Sequence, residues 1–179
     1  DRARQVSAMM NNREIGVTFL GENDGFNYAF GMYNGNRLEN ENDGNFLYTG
    51  RLSYTFGGDD NSLELGLNGA FNQTENERVG RSGLTSLGDR TIFGFYAEFN
   101  KASLFGTFEY LQSNFDAQEL QTEETISGFY GTIGTNISER DQILARWDHL
   151  EYDILNRNSE LLILAWKRKV TSLFSIHLN

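Results

Sequence analysis

The chain contains no cysteine and no proline, and only three of its 179 residues are lysine. Without cysteine there is no disulfide framework, no thiolate nucleophile and no cysteine-ligated metal. Without proline every backbone N–H can donate, which long ladders of paired strands require. No apolar run approaches the ~18 residues of a membrane-spanning helix, and mean hydropathy is low at −0.51. A formal charge of −10 leaves no basic face for a phosphate backbone, so nucleic acid is not an expected partner.

Glycine and aromatic residues are abundant instead, with Phe and Tyr far outnumbering Trp. Low mean hydropathy is compatible with a β-barrel in a membrane, because only every second strand residue meets lipid while lumen and loops stay polar.

Period-two alternation recurs along the chain. Ile15, Val17 and Phe19 share one face of 13–20. Phe26, Tyr28, Phe30 and Met32 oppose Asn27, Ala29 and Gly31 in 26–34. In 46–56, Phe46, Tyr48, Leu52, Tyr54 and Phe56 oppose Thr49, Arg51, Ser53 and Thr55. Leu63, Leu65, Leu67 and Phe71 oppose Glu64, Asn68 and Asn72 in 62–72.

Phe93, Phe95, Ala97 and Phe99 oppose Arg90, Tyr96, Glu98 and Asn100 in 89–100. In 102–112, Leu104, Phe108 and Tyr110 oppose Ser103, Thr107 and Glu109, with Phe105 and Leu111 interrupting the polar side. Segment 125–137 carries Phe129, Ile133 and Ile137 on its greasier side. Ile143, Ala145 and Trp147 oppose Gln142, Arg146 and Asp148 in 142–152. Segments 159–168 and 171–179 are less regular, and Leu161 to Trp166 is nearly continuous apolar. About ten strands result, of the length that crosses a bilayer when tilted.

Connections read alternately as short (57–61, 100–101, 138–141, 169–170) and long (34–45, 73–88, 113–124, 153–159). Outer-membrane barrels sort tight turns and longer loops to opposite ends in this way. Phe26, Tyr33, Phe46, Phe56, Phe71, Phe99, Tyr110, Phe115 and Tyr152 fall near strand ends, where interfacial girdles sit. Any β-protein also enriches aromatics in strands.

Five stretches carry a family likeness. Arg13-Glu14-Ile15-Gly16-Val17, Tyr28-Ala29-Phe30-Gly31-Met32-Tyr33-Asn34-Gly35 and Arg51-Leu52-Ser53-Tyr54 resemble the central part of the phosphate-selective porin O and P family. Gly94-Phe95-Tyr96-Ala97-Glu98-Phe99 and Arg146-Trp147-Asp148 resemble its later strands. The resemblance implies a trimeric, sixteen-stranded barrel in the outer membrane of a Gram-negative bacterium. It also implies a signal peptide, an N-terminal set of strands, and passive diffusion of anions, phosphate or polyphosphate preferred, along Arg and Lys ladders. On that basis the chain is expected to be a central to C-terminal fragment. The three lysines, Lys101, Lys167 and Lys169, and the excess of acidic over basic side chains depart from such a ladder.

The fold expected is therefore an antiparallel transmembrane β-barrel, acting as a diffusion porin for small hydrophilic solutes, with no cofactor. If the apolar faces meet lipid, the charged residues opposite line the lumen: Arg51, Arg90, Arg146, Glu64, Glu98, Glu109 and Asp148. Rings of such charge set selectivity by their sign. The same residues could instead pair across strands and brace the wall. The three arginines are the best candidates for touching an anion, since a guanidinium matches carboxylate or phosphate. The loops 73–88 and 113–124 are candidates either for constriction or for display.

Glu39 to Gly44 has alternate oxygen ligands, but Gly50 stands where an EF-hand needs its bidentate acid; a solvated turn or a loose cation site remains. Asp148 and His149 are adjacent on a strand and point to opposite faces, so they form no catalytic dyad. There is no Gly-x-Ser-x-Gly elbow and no His–carboxylate spacing of a metal site, so the chain is not expected to be an enzyme. Asn72-Gln73-Thr74 is formally a glycosylation sequon, without meaning in a bacterial outer membrane. A non-conducting barrel serving as anchor or adhesin, and a soluble β-sandwich carrier, are the competing readings.

Overall fold

The computed structural model describes residues 4–10, 15–35, 45–58, 60–73, 76–170 and 175–178, the last four by their backbone. Among the described residues, one short helix, α1 (Arg4–Met9), precedes eleven strands. These are β1 (Gly16–Asn23), β2 (Phe26–Tyr33), β3 (Leu47–Gly58), β4 (Asn61–Asn72), β5 (Glu77–Arg78) and β6 (Thr85–Lys101), followed by β7 (Leu104–Ala117), β8 (Thr122–Asn136), β9 (Asp141–Tyr152), β10 (Arg157–Lys169) and β11 (Ser175–Leu178). All pair antiparallel with their chain neighbours, except that two-residue β5 attaches only to β6. The ten-strand antiparallel meander expected from alternation is therefore present, with β1 and β11 as its edges. Among the described residues those edges do not pair, and the sheet is open.

The strands form because alternation leaves one consistently apolar face on a pleated backbone. The first hairpin turns on Asp24-Gly25, whose φ values of 47° and 82° suit the mirror-image two-residue turn that matches strand twist. A meander sorts its connections by end. Asp24-Gly25, the Gly58 and Asn61 ends of β3 and β4, Ala102-Ser103 and 137–140 lie at what we call the proximal end. The C-terminal ends of β2, β4, β7 and β9 mark the distal end, where the turns 118–121 and 153–156 lie.

Loop length is where the sequence reading needs correction. Two of the four distal connections read as long, 113–124 and 153–159, are four-residue turns at 118–121 and 153–156 between extended strands. Their polar residues belong to β7, β8 and β10, which run past the apolar part of the sheet as hairpins. Polarity marked where the apolar face ends, not where pairing ends. The 73–88 connection is real but shorter, because β6 begins at Thr85 and β5 lies within the loop.

α1 lies against β7, β8 and β9 and defines an inner face. Arg4 donates a hydrogen bond to Ser159 of β10. At the other end of the helix, Arg90 Nη1 of β6 reaches the Met9 carbonyl at 3.4 Å. The helix thus crosses the sheet at an angle to its strands. It is only six residues long, too short to be stable alone, so the packing of Ala8 and Met9, 4% and 0% exposed, holds it in place.

The only extended cluster of buried apolar side chains among the described residues gathers there. Ala8, Met9, Val79 and Leu84 meet Ile92, Leu111, Phe115, Ile126 and Leu150 on the distal half of the inner face. No helix of the described residues is long and apolar enough to cross a membrane, which says nothing about strands.

Candidate functional site

The outer face carries large apolar side chains that pack on nothing beyond the sheet. Phe19, Phe30, Leu67, Phe93, Ile133, Leu162 and Leu164 are between 51% and 70% exposed. The parities assigned from sequence hold throughout β2 to β9, and β10 resolves with Leu162 and Leu164 outward and Leu161 and Ile163 inward. Neighbouring rings form a ladder across strands: Phe95 with Tyr110 at 5.5 Å, Phe108 with Phe129 at 5.9 Å and Phe129 with Trp147 at 5.0 Å.

The distal border of the contiguous apolar zone is oblique, with Leu87 of β6 an isolated exposed apolar residue beyond it. Its last apolar residues are Phe71, Phe93, Tyr110, Phe129, Trp147 and Leu162 on β4 and β6 to β10. The next outward positions are Gln73, Thr91, Gln112, Ser127, His149 and Glu160. In register Phe71 sits opposite Thr91, Phe93 opposite Gln112, and Phe129 opposite His149. The border therefore steps proximally as the sheet proceeds, instead of following one row of paired residues. Of the aromatics assigned to strand ends, Tyr33, Phe115 and Tyr152 share the inner face and belong to no outer girdle.

The inner face at mid-height is charged. Ser53, Gly66, Tyr96, Glu109, Tyr130 and Asp148 are paired in one row across β3 to β9. Thr55, Glu64, Glu98, Thr107, Thr132 and Arg146 form the next row on the proximal side. Arg51 stands one row distal, opposite Asn68. Six of the seven charged residues singled out from sequence are thus brought to one level.

Two arginine clusters organise this level. Arg51 donates from Nε to the Tyr96 hydroxyl at 2.8 Å and from Nη2 to Glu64 at 3.3 Å, with its guanidinium 4.5 Å from the Tyr96 ring centroid. The Tyr96 hydroxyl donates to the same Glu64 oxygen at 2.5 Å. Tyr96 reaches so far because Gly66 lies beneath it: a Cβ there would sit 2.1 Å from the ring. Across the belt Arg146 clasps Asp148 at 2.7 Å and 3.4 Å and lies 4.3 Å from the Tyr130 ring centroid. Each ring face adds a cation–π contact to the ion pair.

Between the clusters, Glu109 accepts from Asn68 at 3.4 Å. Glu98 is exposed and has no ion pair among the described residues. Tyr96, Tyr130 and Asn68 were not chosen as candidates from sequence, although their parity already placed Tyr96 and Asn68 opposite the apolar face. An aromatic on a polar face was the available signal.

Arg90 differs from the other six. It has the same inward parity, but its side chain is only 4% exposed and lies 3.5 Å from Glu77 of β5, itself 6% exposed. Asn72 donates to the same Glu77 carboxylate. Arg90 thus braces a buried corner, with almost none of its side chain exposed. That corner was invisible in the alternation because Glu77 comes from a loop. Arg81 N donates to Ser7 O at 2.9 Å and ties the loop to α1. Nearby, buried Glu124 accepts from the Ile154 and Leu155 amides at 3.0 Å and 3.1 Å and fixes the 153–156 turn.

Asp148 and His149 face opposite sides as expected, His149 lying outward 3.4 Å from Glu160. Among the described residues no group of three or more His or carboxylate side chains is placed to hold a metal. The Glu39 to Gly44 segment lies outside the described residues. Comparison with family models, with curated proteins and with solved structures gives no match for this chain.

Proposed function

We propose that the chain forms much of the wall of an outer-membrane β-barrel through which small hydrophilic solutes diffuse, anions such as phosphate among them. The observation that carries this reading is the oblique aromatic border on an exposed apolar outer face. A flat membrane cuts tilted strands at an angle to their register rows, so the boundary between lipid-facing and water-facing positions must step from strand to strand. A sheet packed against another protein layer would have no reason to step so.

The band's height is compatible with this reading. Eight residues separate Leu63 from Phe71 on β4, about 27 Å of strand, and a tilt of 35–45° shortens that to about 20 Å, against a lipid-facing band of ~25 Å in membrane barrels. The charged belt would line the aqueous path, and α1 with the 76–84 segment would narrow it distally. Gram-negative location and homotrimeric assembly belong to the same proposal and rest on the family resemblance. Catalysis has no support among the described residues.

One observation favours a second reading. α1 and the 76–84 segment cover the distal half of the inner face with a buried apolar cluster, as a non-conducting anchor would. Planar-bilayer recording of the folded protein separates the two. Stepwise currents in potassium chloride are expected of the diffusion path. A chain that folds and inserts yet carries no current would leave only the anchor.

A further inference from the structure

A cavity of about 480 Å³ opens on the inner face between α1 and the charged belt, within the range of small-molecule pockets, about 300–1,000 Å³. Its two sides differ in chemistry. Val6 and Met10 of the helix segment, with Leu47, Ile92 and Leu111, supply an apolar wall. Arg51, Asn68 and Glu109 supply a polar border beside it.

The charged border has unused valence of both signs. Arg51 engages Tyr96 and Glu64 through Nε and Nη2, so Nη1 has no hydrogen-bond partner among the described residues. Glu109 receives Asn68 on Oε1, and Oε2 has no such partner. Arg90 also borders the cavity, but it is held by Glu77 and the Met9 carbonyl.

We propose that this cavity binds a small zwitterion with an apolar body, such as an amino acid with an apolar side chain. Its carboxylate takes the free edge of Arg51, its ammonium takes Glu109, and its side chain lies on Ile92, Leu111 and Met10. A simple anion or cation satisfies one of the two groups and leaves the other facing the cavity. A sugar or a bare ion gains nothing from the apolar wall. The inference rests on the diffusion reading for its role in transport, whereas occupancy itself does not depend on conduction.

Calorimetric titration of the folded chain in detergent tests it with four probes: L-phenylalanine, phenylacetate, phenethylamine and glycine. L-Phenylalanine is expected to bind at least tenfold more tightly than each of the others. Arg51→Gln weakens phenylalanine and phenylacetate and spares phenethylamine; Glu109→Gln weakens phenylalanine and phenethylamine and spares phenylacetate. Equal binding of all probes, glycine matching phenylalanine, or no binding by protein of native circular dichroism overturns the site. Binding without bilayer current sinks the diffusion reading alone, and current without binding sinks the site alone.

Discussion

Strand β6 shows two environments a few ångströms apart. Outward it presents Phe93 and Phe95, 54% and 42% exposed, followed by Ala97 and Phe99. Inward it presents Arg90 buried on Glu77, Ile92 in an apolar cluster, Tyr96 in a hydrogen-bonded cluster and Glu98 open to its surroundings. From Phe93 to Phe99 the outward positions are all apolar, and no other segment of the described residues covers them. The inner face changes character every second residue, because each position meets a particular partner contributed by another part of the chain. Soluble monomers rarely expose contiguous apolar patches larger than a few hundred Å².

The contrast can be broken at its strongest point by Arg90→Ala. Removing the guanidinium leaves the Glu77 carboxylate buried, a loss of about 3–5 kcal/mol for a buried pair, read by urea unfolding of the folded protein. A loss under about 1 kcal/mol would show that the corner admits water. The contrast is sharpened by placing the same cation on opposite faces of the sheet. Phe95→Arg on the outer face is expected to destabilise the lipid-inserted protein by about 2–4 kcal/mol, whereas Thr107→Arg, between Glu98 and Thr132 on the inner face, changes stability by less than about 1 kcal/mol. Equal costs would mean that the outer face does not meet hydrocarbon.

The smallest effect lies beyond both faces, in the 118–121 turn. Burial raises the Glu119 carboxyl, but hydrogen bonds from the Thr85 amide and hydroxyl, both at 2.8 Å, outweigh it and hold the group below the ordinary carboxylate range. Its contribution is complete above the unfolded pKa of about 4.3 and is lost as pH falls through the lowered folded value. Because the group is exposed, Glu119→Gln should remove at most about 0.5 kcal/mol, in full only above that pH. Stability curves of the two proteins should converge in acid.

Much of this was legible in the residues. Phe46 to Phe56 and Leu63 to Phe71 alternate so regularly that strand, face and neighbour follow from parity alone, and the level shared by Glu64, Glu98 and Arg146 follows once register is known. Other parts were not legible. Val6 to Met10 is too short and weakly patterned to announce a helix, and nothing near Glu77 in sequence marks it as the partner of Arg90. The 113–124 stretch looked like a loop because its side chains are polar, yet on either side of the 118–121 turn its backbone pairs without a break between β7 and β8, from Ser113 opposite Ile126 to Ala117 opposite Thr122.

The sequence by itself determined which side chains share a face, because a pleated strand turns alternate residues to opposite sides whatever surrounds it. Only the tertiary structure decided what each face meets. Arg90 and Glu98 have one parity on one strand, and the first is buried while the second is exposed, because α1 and the 76–84 segment lie over the sheet at one height and not the other. Burial is set by contacts such as Arg4 with Ser159, made between segments far apart along the chain, and no local pattern encodes them.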